Sequence, residues 1–236
     1  PYGLKTNEQL RARVPALLTG LVHQWAPEAV VIACNTASTI ALDAVRAVLS
    51  VPVVGVVPPV KPAAALTQTG VIGLLATPAT VQRAYTNDLI SQFAADKRVI
   101  RFGSSGLVDA AERKLRGEPV DQSAITEAVE GLFGASGGAD IDVVALACTH
   151  FPLLAAELAA AAPRPCIWLD SGEAIARRLA QVLMAERGTA RVRRVGFTNA
   201  EAARQSFKAF ELCGFEAFAS IGAGPAFEAT AIGNSQ

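Results

Sequence analysis

The chain has 236 residues, of which 51% are hydrophobic and 18% are charged, and its formal net charge is zero. This composition is typical of a globular protein with a sizeable core and argues against a disordered chain. The chain has no net charge and no basic run, which argues against nucleic acid as a partner. No apolar run approaches the roughly 20 residues that are needed to cross a membrane.

The first half of the chain alternates amphipathic stretches with short β-branched runs. Apolar residues at helical spacing predict helices over residues 6–25, 36–49, 61–68 and 80–93. Strands are predicted between them, over residues 29–33, 51–57, 71–76 and 98–102. Three prolines within residues 58–62 interrupt this pattern. We expect a boundary between two lobes there, because proline is incompatible with the interior of regular structure.

The second half continues the same alternation. Helices are predicted over residues 104–115, 123–133, 152–162, 171–186 and 201–210, and strands over residues 141–147, 166–169, 192–197 and 215–220. Repeated strand–helix alternation predicts an α/β fold of mainly parallel sheets, each flanked by helices.

Two short segments of the chain resemble each other. Residues 30–36 read Val-Val-Ile-Ala-Cys-Asn-Thr, and residues 144–150 read Val-Ala-Leu-Ala-Cys-Thr-His. In each, an apolar run leads to Ala-Cys, then to polar residues and a predicted helix. Ligands of open parallel sheets bind beyond the carboxyl ends of the strands. The weak repeat therefore predicts two similar lobes that each offer one cysteine, Cys34 or Cys148.

The positions of these two cysteines favour acid/base chemistry. The partial positive charge of a helix N-terminus stabilises an anion, so we expect it to favour the thiolate form of each cysteine. Buried free cysteines are usually inert, but the matching polar contexts favour a functional role for this pair. His150 is expected to hold a proton of the Cys148 thiol or to orient a carboxylate.

The remaining cysteines and the histidines indicate the redox compartment and the absence of a metal site. The four cysteines include no Cys-x-x-Cys pair, and we interpret them as reduced thiols of a cytoplasmic protein. Cys166 and Cys213 lack polar partners and are interpreted as packing residues. His23 and His150 are not at zinc-ligand spacing with a cysteine pair, so no metal is expected.

Six stretches spread over nearly the whole chain resemble glutamate racemase, of the aspartate/glutamate racemase superfamily. They are Pro-Tyr-Gly at 1–3, Ala-Cys-Asn-Thr-Ala-Ser at 33–38, Val-Gly-Val-Val-Pro at 54–58, Ile-Gly-Leu-Leu-Ala-Thr at 72–77, Ala-Cys-Thr-His-Phe-Pro at 147–152 and Asp-Ser-Gly at 170–172. The two cysteine motifs are highly specific when they occur together.

The resemblance implies two pseudo-symmetric α/β lobes with the active site in the cleft between them. Residues 1–60 and 171–236 would form the first lobe, which carries Cys34, and residues 61–170 the second, which carries Cys148. The resemblance also implies a strand upstream of Pro1 that ends in an Asp-Ser pair, and we expect that this strand is missing from the sequence.

The resemblance further implies interconversion of L- and D-glutamate without a cofactor, which supplies D-glutamate for peptidoglycan synthesis. The implied catalytic residues are Cys34, Cys148 and His150, with acid/base support from Glu112. The implied substrate-binding residues are Tyr2, Gly3, Asn35, Thr36, Thr77, Thr80 and Thr149. Glutamate is the expected small-molecule partner, no metal is expected, and a homodimer is left open.

Three alternatives stay open at this point. The chain could be a racemase for aspartate or a hydantoin, or a two-lobed small-molecule binding protein without catalysis. It could also be a cysteine hydrolase with one nucleophile and a histidine base, which would leave Cys34 unexplained.

Overall fold

The computed structural model describes residues 2, 5–184, 193–198, 207–211 and 213–220. As predicted, parallel sheets are flanked by helices. The helices are α1 (Asn7–Trp25), α2 (Asn35–Val48), α3 (Val60–Leu66), α4 (Pro78–Val81), α5 (Ala84–Phe93), α6 (Gly106–Leu115), α7 (Gln122–Phe133), α8 (Ala155–Ala161) and α9 (Gly172–Leu183). The strands are β1 (Val30–Ile32), β2 (Val53–Gly55), β3 (Val71–Ala76), β4 (Arg98–Gly103), β5 (Val143–Leu146), β6 (Ile167–Leu169), β7 (Arg194–Phe197) and β8 (Ala217–Ser220).

The larger sheet has four parallel strands in the order β4-β3-β5-β6. All six residues of the central strand β3 are buried, because helices cover both faces of the sheet. One face packs Leu75, Val144 and Leu146 against α6 and α7, and the other packs Ile72 and Leu74 against α3 and α5. Burying one such side chain stabilises the fold by roughly 1.5–3 kcal/mol. We call this sheet with α3–α8 the β3–β6 lobe.

A smaller unit precedes it, in which β1 and β2 pair in parallel beneath α1 and α2. Its core contains Leu10 and Val14 from α1, and Ala41 and Val45 from α2. The first turn of α1 is fixed by a capping box, in which Thr6 and Gln9 each accept the other's backbone N–H. We call α1, β1, α2 and β2 the β1–β2 lobe.

Two predicted helices begin or continue differently from the sequence pattern. The predicted helix over residues 80–93 is two helices, because Arg83 adopts an extended backbone between α4 and α5. The buried hydroxyl of Thr86 donates to the Thr80 carbonyl at 2.7 Å, in addition to the backbone N–H of Arg83, so this carbonyl stays paired at the break. The predicted helix over residues 152–162 starts as a 3₁₀ turn, Phe151–Leu154, before α8.

The predicted division of the chain into residues 1–60 with 171–236 and residues 61–170 stays a prediction. Two contacts agree with it, since α9 packs against β2 and the Ser171 hydroxyl donates to the Val57 carbonyl at 2.8 Å. Strands β7 and β8 pair in parallel as a separate sheet, and within the described residues they pair neither with the β1–β2 sheet nor with the four-stranded sheet. No helix in the described part of the chain is long and apolar enough to span a membrane.

Candidate active site

The two cysteine motifs line one cavity of about 380 Å³ at the junction of the two lobes. Predicted site residues that line it are Tyr2, Cys34, Asn35, Thr36, Thr77, Thr80, Cys148, Thr149 and His150. Gly3 lies outside the described residues. Glu112 does not line this cavity, but lines an adjacent one together with His150. The sheet topology accounts for this clustering, because the carboxyl ends of β1, β3 and β5 face the same junction.

Cys34 follows β1 directly and is the N-cap residue of α2. Its Sγ accepts the backbone N–H of Ala37 at 3.5 Å, in the place where a serine or aspartate oxygen usually caps a helix. Asn35 and Thr36 form the next turn and are both buried. The Oδ1 atom of Asn35 is buried without a hydrogen-bond partner among the described residues. An unpaired buried acceptor costs about 1–3 kcal/mol, so it is poised to accept a ligand's N–H group.

Two threonines at α4, in the β3–β6 lobe, also line the cavity. Thr77 is the N-cap of α4, and its hydroxyl lies 2.9 Å from the buried hydroxyl of Thr80. The Thr80 hydroxyl in turn lies 3.4 Å from that of Thr36, which joins the two lobes beside Cys34. These hydroxyls both donate and accept, so they suit a ligand with carboxylate and ammonium groups.

Cys148 follows β5 and is 8% exposed. Thr149, the next residue, connects the two cysteine motifs by a hydrogen bond. Its hydroxyl donates to the backbone carbonyl of Ala33, the residue before Cys34, at 3.0 Å. As expected, a helix follows Cys148, but it does not begin directly after the cysteine. A turn at 148–150 and the Phe151–Leu154 3₁₀ turn separate it from α8.

His150 connects the second cysteine to a carboxylate. Its Nδ1 lies 3.8 Å from the Cys148 Sγ, and its Nε2 lies 2.9 Å from Oε1 of Glu112 on α6. The imidazole and the carboxylate are partly exposed, with 32% and 43% of their side-chain surfaces accessible. They face an adjacent cavity of about 420 Å³, whose wall also includes Asp109, Arg113 and Arg116. A proton on Cys148 therefore has an acceptor beside it that reaches solvent.

The ionisation of both thiols differs from the sequence expectation. Burial raises the pKa of the Cys148 thiol to about 11, and a negative charge on Cys34 adds to this rise. Burial also raises the pKa of Cys34, although the backbone N–H groups of Ala37 and Thr36 and the charge of Arg83 act in the opposite direction. The N–H groups after each cysteine do favour thiolate, but desolvation outweighs them, so the net effect of the site is to raise both pKa values.

The other two cysteines lie elsewhere. Cys166 is half-buried at the edge of the β3–β6 core, where burial raises its pKa to about 11, and Cys213 is exposed. Neither contributes to the cavity that holds Cys34 and Cys148. Within the residues that the structure describes, no three side chains of the His, Cys, Asp and Glu types group as metal ligands would.

Sequence reasoning missed a group of cavity residues on α6 and Arg83 near the cavity. Ser105, Val108 and Asp109 line the cavity from α6 and its start. Spacing offered one signal, since Asp109 and Glu112 are three residues apart and share a helix face. No local sequence signal points to Arg83. Its charge lowers the pKa of Cys34 only because the packing of the two lobes brings the residues near each other.

Comparison with known proteins shows the family to which the chain is similar. The model of the Asp/Glu/hydantoin racemase family matches residues 1–179. The chain is 57% identical to a glutamate racemase of Sphingopyxis alaskensis over 182 residues, which cover 77% of this chain and 68% of that protein. It is 51% identical to a glutamate racemase of Vibrio vulnificus over 183 residues, covering 78% and 67%. The crystal structure of Escherichia coli glutamate racemase with L-glutamate and an activator, UDP-MurNAc-Ala, superimposes with a TM-score of 0.85 at 39% identity, covering 94% of this chain and 84% of that one.

Proposed function

The chain belongs to the Asp/Glu/hydantoin racemase family, among its glutamate racemases, and from this premise we propose that it interconverts L- and D-glutamate by proton transfer between Cys34 and Cys148. The observation that carries the proposal is the shared cavity. Two buried thiols, each at the carboxyl end of a parallel strand, line it from different lobes. They are close enough for the charge of one to raise the pKa of the other.

Racemisation at Cα needs a base on one face of the carbon and an acid on the other. A single base that removes the α-proton returns it to the same face. With two thiols, one thiolate accepts the α-proton while the thiol on the opposite face donates its own proton to the carbanion. The enantiomer leaves, and the two cysteines have exchanged protonation states. No cofactor takes part in this scheme.

The charge coupling between the thiols suits this alternation. Burial disfavours both thiolates, and a negative charge on Cys34 further raises the pKa of Cys148, so a second thiolate is disfavoured once one has formed. The active form therefore has one base and one acid, which is the state that proton transfer across Cα requires. The direction of turnover follows from which cysteine is ionised when the substrate binds.

The polar wall of the cavity suits an amino-acid substrate. The unpaired Oδ1 of Asn35 accepts from the α-ammonium group in our scheme. Hydroxyls and backbone N–H groups at Thr36, Thr77, Thr80 and Thr149 donate to the carboxylates, and Tyr2 and Gly3 complete the binding residues. Fixed dipoles of this kind stabilise the negative charge that develops on the carbanion.

His150 and Glu112 assist the second cysteine in this scheme. The imidazole accepts the proton of Cys148 when that thiol becomes the base, and Glu112 orients the ring and stabilises its cation. We place the reaction in the cytoplasm, where its D-glutamate product feeds peptidoglycan synthesis. Glutamate is the small-molecule partner, and neither a metal nor a partner chain is needed by the chemistry.

The proposal is tested by the substrate range of the purified chain. After dialysis against a chelator, we expect optical rotation of L- or D-glutamate to decay to zero, while aspartate and a hydantoin remain optically active. Loss of rotation with aspartate or the hydantoin alone would assign another racemase activity. Tight glutamate binding without any decay of optical rotation would instead indicate a binding protein without catalysis.

A further inference from the structure

We propose that Arg83 is a positioning residue for the first thiol: its uncompensated positive charge, held across the junction of the two lobes, stabilises the Cys34 thiolate. This inference rests on the proposed two-thiol mechanism and extends it. It assigns an electrostatic partner to the cysteine that has no imidazole beside it in the described structure.

The geometry places Arg83 between the two lobes. It lies between α4 and α5, in the β3–β6 lobe, and its Nη1 donates to Oδ1 of Asn7 at the start of α1 at 3.1 Å. Three residues earlier, Thr80 lines the cavity and contacts Thr36 of the Cys34 motif. Arg83 therefore adjoins the cavity wall without forming part of it, on the side that carries Cys34.

The charge of Arg83 is not neutralised by a neighbour. Its bonded partner, the Asn7 amide, carries no charge, and no carboxylate in the described part of the chain forms an ion pair with it. Its Nε is buried and has no hydrogen-bond partner among those residues. A guanidinium stays charged at every physiological pH. A fixed positive charge is thus available to act on groups across the lobe junction.

Cys34 is the thiol on which this charge acts. The positive charge lowers the pKa of Cys34 against the stronger effect of burial, whereas the pKa of Cys148 is not affected by Arg83. The other titratable groups that face the cavity carry no fixed positive charge; they are Tyr2, Asp109, Cys148 and His150. No lysine or arginine lines the described cavity wall. Glutamate would bring two carboxylates close to the sulfur, so a cation behind the wall offsets the repulsion that they exert on a thiolate.

Variants that keep only one of the two cavity thiols isolate the effect. In a Cys148→Ser protein only Cys34 removes the α-proton, and in a Cys34→Ser protein only Cys148 does. The probe is a glutamate analogue with a leaving group at Cβ. The thiolate takes the α-proton, the C–H electron pair becomes the Cα=Cβ bond, and the leaving group departs with its own pair. The rate of this elimination is measured against pH for Arg83→Met and Arg83→Lys in both backgrounds.

Arg101 offers a matched control. It belongs to the same lobe, and an asparagine amide also holds it, since its Nη1 donates to Oδ1 of Asn87 at 2.5 Å. It does not act on either cysteine of the cavity. Arg101→Met therefore removes an asparagine-bound arginine without removing the charge that faces Cys34.

In the Cys148→Ser background we expect Arg83→Met to slow elimination at neutral pH about three- to tenfold, since a rise in pKa of half a unit to one unit lowers the thiolate fraction by that factor. The rate should recover at alkaline pH. Arg83→Lys should restore most of the neutral rate, while the Cys34→Ser background and Arg101→Met should show no change. An equal loss in both backgrounds, or a loss in Arg83→Lys as large as in Arg83→Met, would overturn the proposal. If the Cys34→Ser and Cys148→Ser proteins eliminate from the same enantiomer, the two-thiol mechanism itself fails, whatever the effect of Arg83.

Discussion

The Nε2 atom of His150 lies 2.9 Å from Oε1 of Glu112, and the opposite ring nitrogen faces the sulfur of Cys148. The two residues are 38 positions apart in the chain, and the packing of α6 against the Phe151–Leu154 turn brings them together. The contact gives Cys148 an imidazole whose orientation is fixed, whereas among the described residues Cys34 has the guanidinium of Arg83 across the lobe junction. We therefore expect the two thiols to respond differently to mutation and pH.

Glu112→Gln should lower the glutamate kcat about tenfold, because the amide keeps the hydrogen bond to His150 but no longer stabilises the imidazolium. Glu118 is a suitable control. It pairs with Arg116 on the same surface and does not contact His150, so Glu118→Gln should stay within twofold of the parent rate. Steady-state rates of D- and L-glutamate conversion test this. Equal losses in the two variants would show that the carboxylate at residue 112 has no special role.

His150→Gln should affect the two faces of the substrate unequally. The equilibrium constant between enantiomers is unity, so kcat/KM must stay equal in both directions in every variant, and racemisation alone cannot reveal the face. Elimination from a β-substituted glutamate can. We expect a loss of about 10²-fold in the Cys34→Ser background, where Cys148 is the base, and little change in the Cys148→Ser background. A similar loss in both backgrounds would contradict the pairing of His150 with Cys148.

The pH dependence of thiol alkylation tests the ionisation of the cavity. A thiolate is the reactive form, and burial raises the pKa of Cys148 to about 11. Alkylation of Cys148 by a small haloacetamide should thus rise with pH to a midpoint near that value in the ligand-free protein. In the denatured chain the midpoint should fall to roughly 8.5, the value of a free thiol. Peptide mass spectrometry assigns each cysteine, and identical midpoints for Cys148 in folded and denatured protein would refute this picture.

Gly103→Ala should destabilise the fold and disturb the substrate site together. A Cβ at residue 103 would lie 2.7 Å from the Cα of Pro78, so the start of α4 would have to move, and Thr77 and Thr80 with it. We expect a loss of about 1–3 kcal/mol in the free energy of unfolding, with a higher KM for glutamate. Gly20→Ala on α1 is the control, because a Cβ there meets no atom within 4 Å. It should stabilise the helix by up to about 1 kcal/mol. Urea unfolding of both variants measures these changes. If Gly103→Ala left the free energy of unfolding unchanged, the contact with Pro78 would not fix the position of α4.

Much of the site was predictable because its main residues follow strands. The apolar runs before Cys34 and Cys148 identify strand ends, and parallel strands bring their carboxyl ends to one edge. The break at Arg83 was not predictable, since apolar spacing continues through residues 80–93 and neither proline nor glycine marks the break. The ionisation of the thiols was also missed. Helix polarity can be read from sequence, but the desolvation that outweighs it depends on how tightly the lobes meet.

The central claim is that Cys34 and Cys148 act on opposite faces of Cα, and elimination by the two serine variants tests it most directly. Both Cys34→Ser and Cys148→Ser should lose racemisation by at least about 10²-fold, because each lacks one of the two proton carriers. Elimination requires only proton removal, so each variant should still react with one enantiomer of a glutamate that carries a leaving group at Cβ. We predict that the Cys34→Ser protein still eliminates from one enantiomer and that the Cys148→Ser protein still eliminates from the other. Elimination from the same enantiomer by both variants would contradict the two-thiol mechanism, because the two sulfurs would then face the same side of the substrate.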